Sequence, residues 1–181
     1  MPTLTKQDLS EIKQIFELDT ENYKKFVETG TNYANTIQHL MDEFDEFHSI
    51  ELSTPFYNRA KTIFEKNDRV NLYHGDSTYV LPHVLEKINE PCIFFLDGHY
   101  SSEDTARGEK DVPLLEEMSS INNKFTHQCL IIIDDLRLFG TTHSEDWGSI
   151  TEESILNSVS NRIERVEKIN DRFVIKLKSK N

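Results

Sequence analysis

The sequence predicts an α/β fold, a doubly wound, mostly parallel seven-stranded sheet closed by an antiparallel hairpin strand. Three observations predict it. Short apolar strand patterns alternate with helical ones from Phe26 to Val159, as βαβ units require. Two of the strands, Cys92-Ile93-Phe94-Phe95-Leu96-Asp97 and Cys129-Leu130-Ile131-Ile132-Ile133-Asp134-Asp135, open with continuous apolar runs, which suits central parallel strands covered on both faces. Near the end, Asn170-Asp171 separates two further strand patterns and reads as a tight hairpin turn.

Taken in order, residues 5–18 form an amphipathic helix, with Leu9, Ile12, Ile15 and Phe16 on one stripe. It reads as a packing helix over the sheet, or as part of a lid. Strand one, Phe26 to Thr29, turns through Gly30 into a helical pattern carrying Tyr33, Ile37, Leu40, Met41 and Phe44. Such a turn lets a ligand approach the backbone and meet the free N–H groups of the helix start. Strand two is 47–52, and Pro55 sits in the first turn of a helix reaching about residue 66. Strand three, 70–76, ends on Gly75-Asp76, and Leu81, Val84, Leu85 and Ile88 mark the helix after it. The two buried strands flank a helix over 114–123, and 151–159 is helical. Strands over 162–169 and 172–177 then form the hairpin. The expected layout is one domain over 1–181: an N-terminal helix in 1–22, a core over 26–140, and a closing helix and hairpin over 151–178.

A formal charge of -12 argues against a broad nucleic-acid or anionic-membrane surface, since both need clustered Lys and Arg. No apolar run is long enough to span a bilayer and the first residues carry no apolar signal core, so a cytoplasmic location is expected. The two cysteines make no CxxC pair and read as reduced, buried thiols.

Five successive strand patterns end in acids: Glu28, Glu51, Asp76, Asp97 and the pair Asp134-Asp135. Any one of them is explained as a loop or helix cap. Five on the edge where open parallel sheets bind ligands point to a cleft. The two buried strands share one layout, so that side by side they bring Cys92 level with Cys129 and Asp97 level with Asp134. Asp97, Asp134 and Asp135 would then meet, and carboxylates that close repel unless protonated or bridged by a cation. Oxygen-rich, cysteine-free clusters suit Mg²⁺, Mn²⁺ or Ca²⁺; the alternative is that Asp135 turns away to cap the loop. His99 is the general-base candidate by position and pKa, although a solvated loop histidine is the plainer reading. His74 reads as structural. The loop 101–113 carries Asp104, Arg107, Lys110 and Asp111. Arg107 either grips an anionic acceptor or makes a surface ion pair.

The series Glu28-Thr29-Gly30-Thr31, Ser49-Ile50-Glu51-Leu52, Leu72-Tyr73-His74-Gly75-Asp76-Ser77 and Leu96-Asp97-Gly98-His99 resembles the ordered motifs of class I S-adenosylmethionine-dependent methyltransferases, which are Rossmann-like. It is similar to a bacterial group of small methyltransferase-like proteins marked by Asp-Gly-His-Tyr and Asp-Asp-x-Arg-Leu-Phe-Gly, here 97–100 and 134–140. More distantly it resembles the metal-dependent macrocin-type O-methyltransferases. By that resemblance Glu28, Gly30, Thr31 and Asn32 line the methionine part of the cofactor. Glu51 accepts from the ribose hydroxyls, Asp76 and Ser77 border the adenine, and Asp97 lies under the sulfonium. Asp97, Asp134 and Asp135 match the metal carboxylates. The expected activity is methylation of an oxygen on a small hydroxylated acceptor, with Asp97 or His99 taking the proton. A non-catalytic module that keeps the cofactor as sensor or partner is the alternative, favoured by a first loop with one glycine. A metal-dependent hydrolase or lyase on the same scaffold is a third class. The acceptor and the oligomeric state lie beyond the sequence.

Overall fold

In the computed structural model, residues 3–100, 106–142 and 145–180 are described. Their strands are β1 (Lys25–Thr29), β2 (Glu46–Glu51), β3 (Val70–His74), β4 (Cys92–Leu96), β5 (Cys129–Ile133), β6 (Ile163–Ile169) and β7 (Arg172–Leu177). They form one sheet in the order β3-β2-β1-β4-β5-β7-β6. The first five are parallel, and β7 runs antiparallel to both β5 and β6. The order reverses between β1 and β4, so the switch point lies where the first glycine turn meets Asp97. The connections that follow these two parallel strands run to opposite sides, β1 toward β2 and β4 toward β5, which opens a crevice there.

Among the described residues the α-helices are α1 (Lys6–Ile15), α2 (Asn35–Leu40), α3 (Thr54–Ile63), α4 (Ser77–Leu85), α5 (Leu114–Lys124) and α6 (Glu152–Val159). They divide between the two faces as the two-residue strand period dictates. Phe26, Phe47, Ile93, Phe95, Leu130 and Ile132 pack with α1, α2 and α3. Val27, Ile50, Phe94, Ile131 and Ile175 pack with α4, α5 and α6. Each strand therefore needs apolar residues at consecutive positions, which explains the unbroken runs in β4 and β5. No described helix is long and apolar enough to cross a membrane.

Cys92 pairs in register with Cys129 and Leu96 with Ile133, so Asp97 and Asp134 emerge level, as the spacing predicts. Both cysteines are free and buried. The helices are shorter than the sequence suggests. The first stops at Ile15, although Thr5 and Asp8 close a capping box at its start. The helix after Gly30 has 6 residues, because Asn32 and Ala34 both take left-handed backbone angles before it. Phe44, expected on that helix, instead packs against Phe26 and Phe47 from the connection to β2.

Candidate active site

The site is built at the C-terminal ends of β1 to β5. Gly30 leaves β1 at φ +85°, and a Cβ there would lie 2.4 Å from the carbonyl oxygen of Asp97. The first turn thus packs directly on the backbone that follows β4, and only glycine permits it. Beside this contact lies an open cleft of about 660 Å³, bordered by Gly30, Asn32, Glu51, Asp76, Ser77 and Asp97. Ile50, Leu52 and Phe56 supply apolar wall. A second cleft shares Gly30, Asn32 and Asp97 with the first and continues past Thr31, Tyr33, Thr36 and Thr3.

Most of the acids expected here do meet at this edge, in distinct ways. Glu51 accepts the Asn32 N–H on Oε2 and the Ser53 N–H on Oε1, both at 2.7 Å. Burial raises its pKa while those backbone donors oppose the shift. Asp76 caps α4 by accepting the Thr78 N–H at 2.9 Å. Gly108 of the covering loop lies so close that a Cβ there would stand 2.5 Å from Asp76 Oδ2. Glu28 does not border either cleft. It is 1% exposed and accepts a 2.6 Å hydrogen bond from Ser49, whose hydroxyl lies 2.5 Å from that of Thr31. Burial pushes its pKa up to about 8, so the group is a neutral brace beneath the glycine turn at neutral pH.

Asp97, His99 and Asp135 can bring one ligand atom each to within 4.8 Å of one another. His99 Nε2 is 3.2 Å from Asp135 Oδ2, and its Nδ1 is 3.5 Å from Asp97 Oδ1. The imidazole stands edge-on to Trp147 at 5.0 Å, and burial lowers its pKa against the pull of Asp135. Asp135 reaches this position through a left-handed backbone, φ 60°, and Arg137 clamps its other oxygen while also pairing with Asp171. Asp97 is held well above the usual carboxylate range, first by burial and then by Asp134 and Asp135.

Asp134 joins a different set. It is 2% exposed and its Oδ1 is 3.3 Å from Nε of Arg172. Arg172 also stands 3.3 Å from Asp8 and donates to the Thr3 carbonyl oxygen at 3.4 Å. Neither Asp134 oxygen makes a hydrogen bond among the described residues, and burial pushes the group up to about 6 despite the arginine. The structure therefore gathers His99 where the spacing had gathered Asp134. Arg107 is engaged bidentately with Asp111 at 2.6 and 3.0 Å, the surface pair of the two readings. His74 stacks on Tyr57 at 4.7 Å on the surface. Asp104 lies outside the described residues.

Sequence reasoning missed Arg172 and Glu117. Glu117 interrupts the apolar stripe Leu114, Met118, Ile121 of α5, and a charged residue on such a stripe is the signal that was available.

No protein-family model and no curated protein matches this sequence. Solved structures do match its shape. A Staphylococcus aureus protein assigned as a caffeoyl-CoA O-methyltransferase superposes with TM-score 0.63 at 16% identity, over 98% of this chain and 86% of that one. The fold is that of the class I methyltransferases. The adenosylhomocysteine-bound methyltransferase PaMTH1 of Podospora anserina superposes with TM-score 0.60 at 16% identity, over 96% and 79%. The N-methyltransferase NodS of Bradyrhizobium japonicum gives TM-score 0.56 at 9% identity, over 96% and 97%. On this methyltransferase fold, the two clefts occupy the switch point where open sheets of this type bind ligands.

Proposed function

We propose that this chain is an S-adenosylmethionine-dependent methyltransferase that acts on an oxygen of a small hydroxylated molecule. The observation that carries the reading is the cleft at the switch point, where the Gly30 turn, the Glu51 carboxylate and the Asp76-Ser77 helix start converge on one space. Its donor set fits the cofactor. Glu51 keeps lone pairs free on both oxygens for ribose hydroxyls. Leu52 and Phe56 offer apolar wall to a base bordered by Asp76 and Ser77, and the Gly30-Asn32 turn faces the methionine part. When bound, the cofactor supplies a methyl group on an electrophilic sulfur.

The second cleft is the proposed acceptor side, since it meets the first at Asp97 and is lined by hydroxyl and amide groups. The acceptor is uncharged in this reading, because Arg107 is taken up by Asp111. In the reaction the acceptor hydroxyl passes its proton to His99 or Asp97, the C–O bond forms as the C–S bond breaks, and placement of the two in line contributes most of the rate. Asp97, His99 and Asp135 fit a divalent cation: two carboxylates and an imidazole converge, and Arg137 holds Asp135 by its other oxygen. Such an ion lowers the pKa of a hydroxyl bound to it.

Methyl transfer to a panel of hydroxylated acceptors, with and without chelator, tests the proposal. Turnover that chelator abolishes supports the cation. Chelator-insensitive turnover moves the role to His99 as general base, oriented by Asp135. Cofactor binding with no transfer to any acceptor leaves the non-catalytic module, and no cofactor binding overturns the reading.

A further inference from the structure

Glu117 is a buried carboxylate that none of these roles uses. It lies on the core-facing side of α5 and is 1% exposed. Its Oε1 makes no hydrogen bond among the described residues, nor does Oγ1 of Thr29. The two oxygens converge on Gly98: a Cβ at Gly98 would lie 3.0 Å from Thr29 Oγ1 and 3.2 Å from Glu117 Oε1. Gly98 is itself part of the wall of the main cleft. The carboxylate therefore stands close behind Gly98 in that wall. It also borders a small pocket that shares Asp97, Gly98, His99 and Pro113 with the cleft.

Burial raises the Glu117 pKa, the hydroxyls of Ser77 and Thr29 oppose that shift, and the carboxylates of Asp76 and Glu116 add to it. None of these groups is a cation. A buried ionised carboxylate without a counter-charge is costly, so the protein alone leaves the charged form of this residue uncompensated. A helix position this deep has an inexpensive alternative in Leu or Met, both of which α5 already uses. On the cleft side of Gly98, a cationic ligand group would supply the missing positive charge.

We propose that Glu117 is a positioning residue that makes the cleft selective for a cationic sulfur, favouring the sulfonium of S-adenosylmethionine over the neutral thioether of S-adenosylhomocysteine. The inference rests on the methyltransferase reading and assigns it an electrostatic device: substrate is held and spent cofactor is released because the ligand loses its charge at sulfur as the methyl leaves. Glu117 touches neither the ligand nor the reacting atoms. It acts through space across Gly98, where the low local dielectric lets a single charge be felt. Both ligands carry the same amino and carboxyl groups, so the comparison between them isolates the sulfur.

The test is calorimetric binding of adenosylmethionine and adenosylhomocysteine to wild type, Glu117→Gln and Glu117→Asp at about pH 8, above the range near 7 to which burial pushes this carboxyl. Glu117→Gln should weaken adenosylmethionine on the order of tenfold and leave adenosylhomocysteine within about twofold, so that the ratio of the two affinities collapses. Glu117→Asp keeps the charge but retracts it by one methylene, and should lower the ratio by a smaller factor. A Gln variant that shifts both ligands equally, or neither, overturns the proposal. So does an Asp variant with the wild-type ratio, which decides the matter if the Gln variant fails to fold. Wild type that binds neither ligand overturns the methyltransferase reading itself, a result distinct from either of these.

Discussion

Arg172 lies 3.3 Å from Asp134 on one side and 3.3 Å from Asp8 on the other, joining the start of β7 to the end of β5 and to the cap of α1. Its donation to the Thr3 carbonyl oxygen fixes the chain where it borders the second cleft. Arg172→Met should therefore destabilise the protein by about 3–5 kcal/mol, because it strands a buried carboxylate. Adding Asp134→Asn to that variant should recover part of the loss. Urea unfolding of the two variants checks this, and equal stabilities would show that the ion pair is not the reason Arg172 matters.

Gly30 offers a second test. An alanine there meets the Asp97 carbonyl oxygen and a positive φ together, so Gly30→Ala should cost about 1–3 kcal/mol in strain and abolish cofactor binding. Differential scanning fluorimetry with and without adenosylhomocysteine reads both. A variant that still gains melting temperature from ligand would place the cofactor away from this turn.

Glu51→Ala should weaken cofactor binding by about 1.5–3 kcal/mol for each charge-assisted hydrogen bond to the ribose. The same substitution releases the Asn32 and Ser53 N–H groups, so a lower melting temperature without ligand should accompany it. Unchanged affinity in calorimetry would remove Glu51 from the ribose.

The buried acids set a pH dependence. Burial pushes Glu28, Glu117 and Asp134 up to about 8, about 7 and about 6 in the folded protein, from ordinary values of 4.5, 4.5 and 3.8. Each raised carboxyl contributes stability that is complete below its unfolded pKa and is lost as pH rises through the folded one. The ligand-free protein should thus melt at lower temperature as pH climbs from about 5 to about 9. One pH unit between folded and unfolded titration is worth about 1.4 kcal/mol, so Glu28→Gln should visibly flatten the upper part of the profile. A profile unchanged by that substitution would mean Glu28 is not the group that titrates.

Metal titration separates the neighbouring aspartates. Asp135→Asn should abolish divalent-cation binding, since Asp135 belongs to the triad with Asp97 and His99. Asp134→Asn should leave it nearly intact. The reverse order would return Asp134 to the ligand set that the spacing alone suggests.

Much of this architecture is legible in the sequence because its signals are periodic and local. The matched layouts of β4 and β5 gave their register, and the acids at strand ends marked the functional edge. What escaped depends on single backbone angles and distant partners. Asp135 faces His99 because its backbone is left-handed, and no spacing rule anticipates that for an aspartate inside Asp-Asp-Leu. Asp134 turns to Arg172, whose depth in the fold follows from the β5–β7 pairing rather than from its neighbours. Glu28 reads as a cofactor ligand by position, yet Ser49 on the adjacent strand draws its carboxyl under the turn. Helix ends shifted wherever a left-handed residue, such as Asn32 or Ala34, delayed the first turn.

The pairing of β5 with β7 carries a consequence for the order of assembly. The β1-β2-β3 half can form from contiguous chain, and β4 and β5 can add to it as they are synthesised, since each docks on a strand already made. At that stage Asp134 has no arginine and the capped start of α1 has no anchor. Both wait for Arg172, which emerges after every parallel strand is in place. Asp134 thus gains its arginine only once the chain beyond all five parallel strands has been made, and a nascent chain paused before its final hairpin would carry those strands with Asp134 still without Arg172.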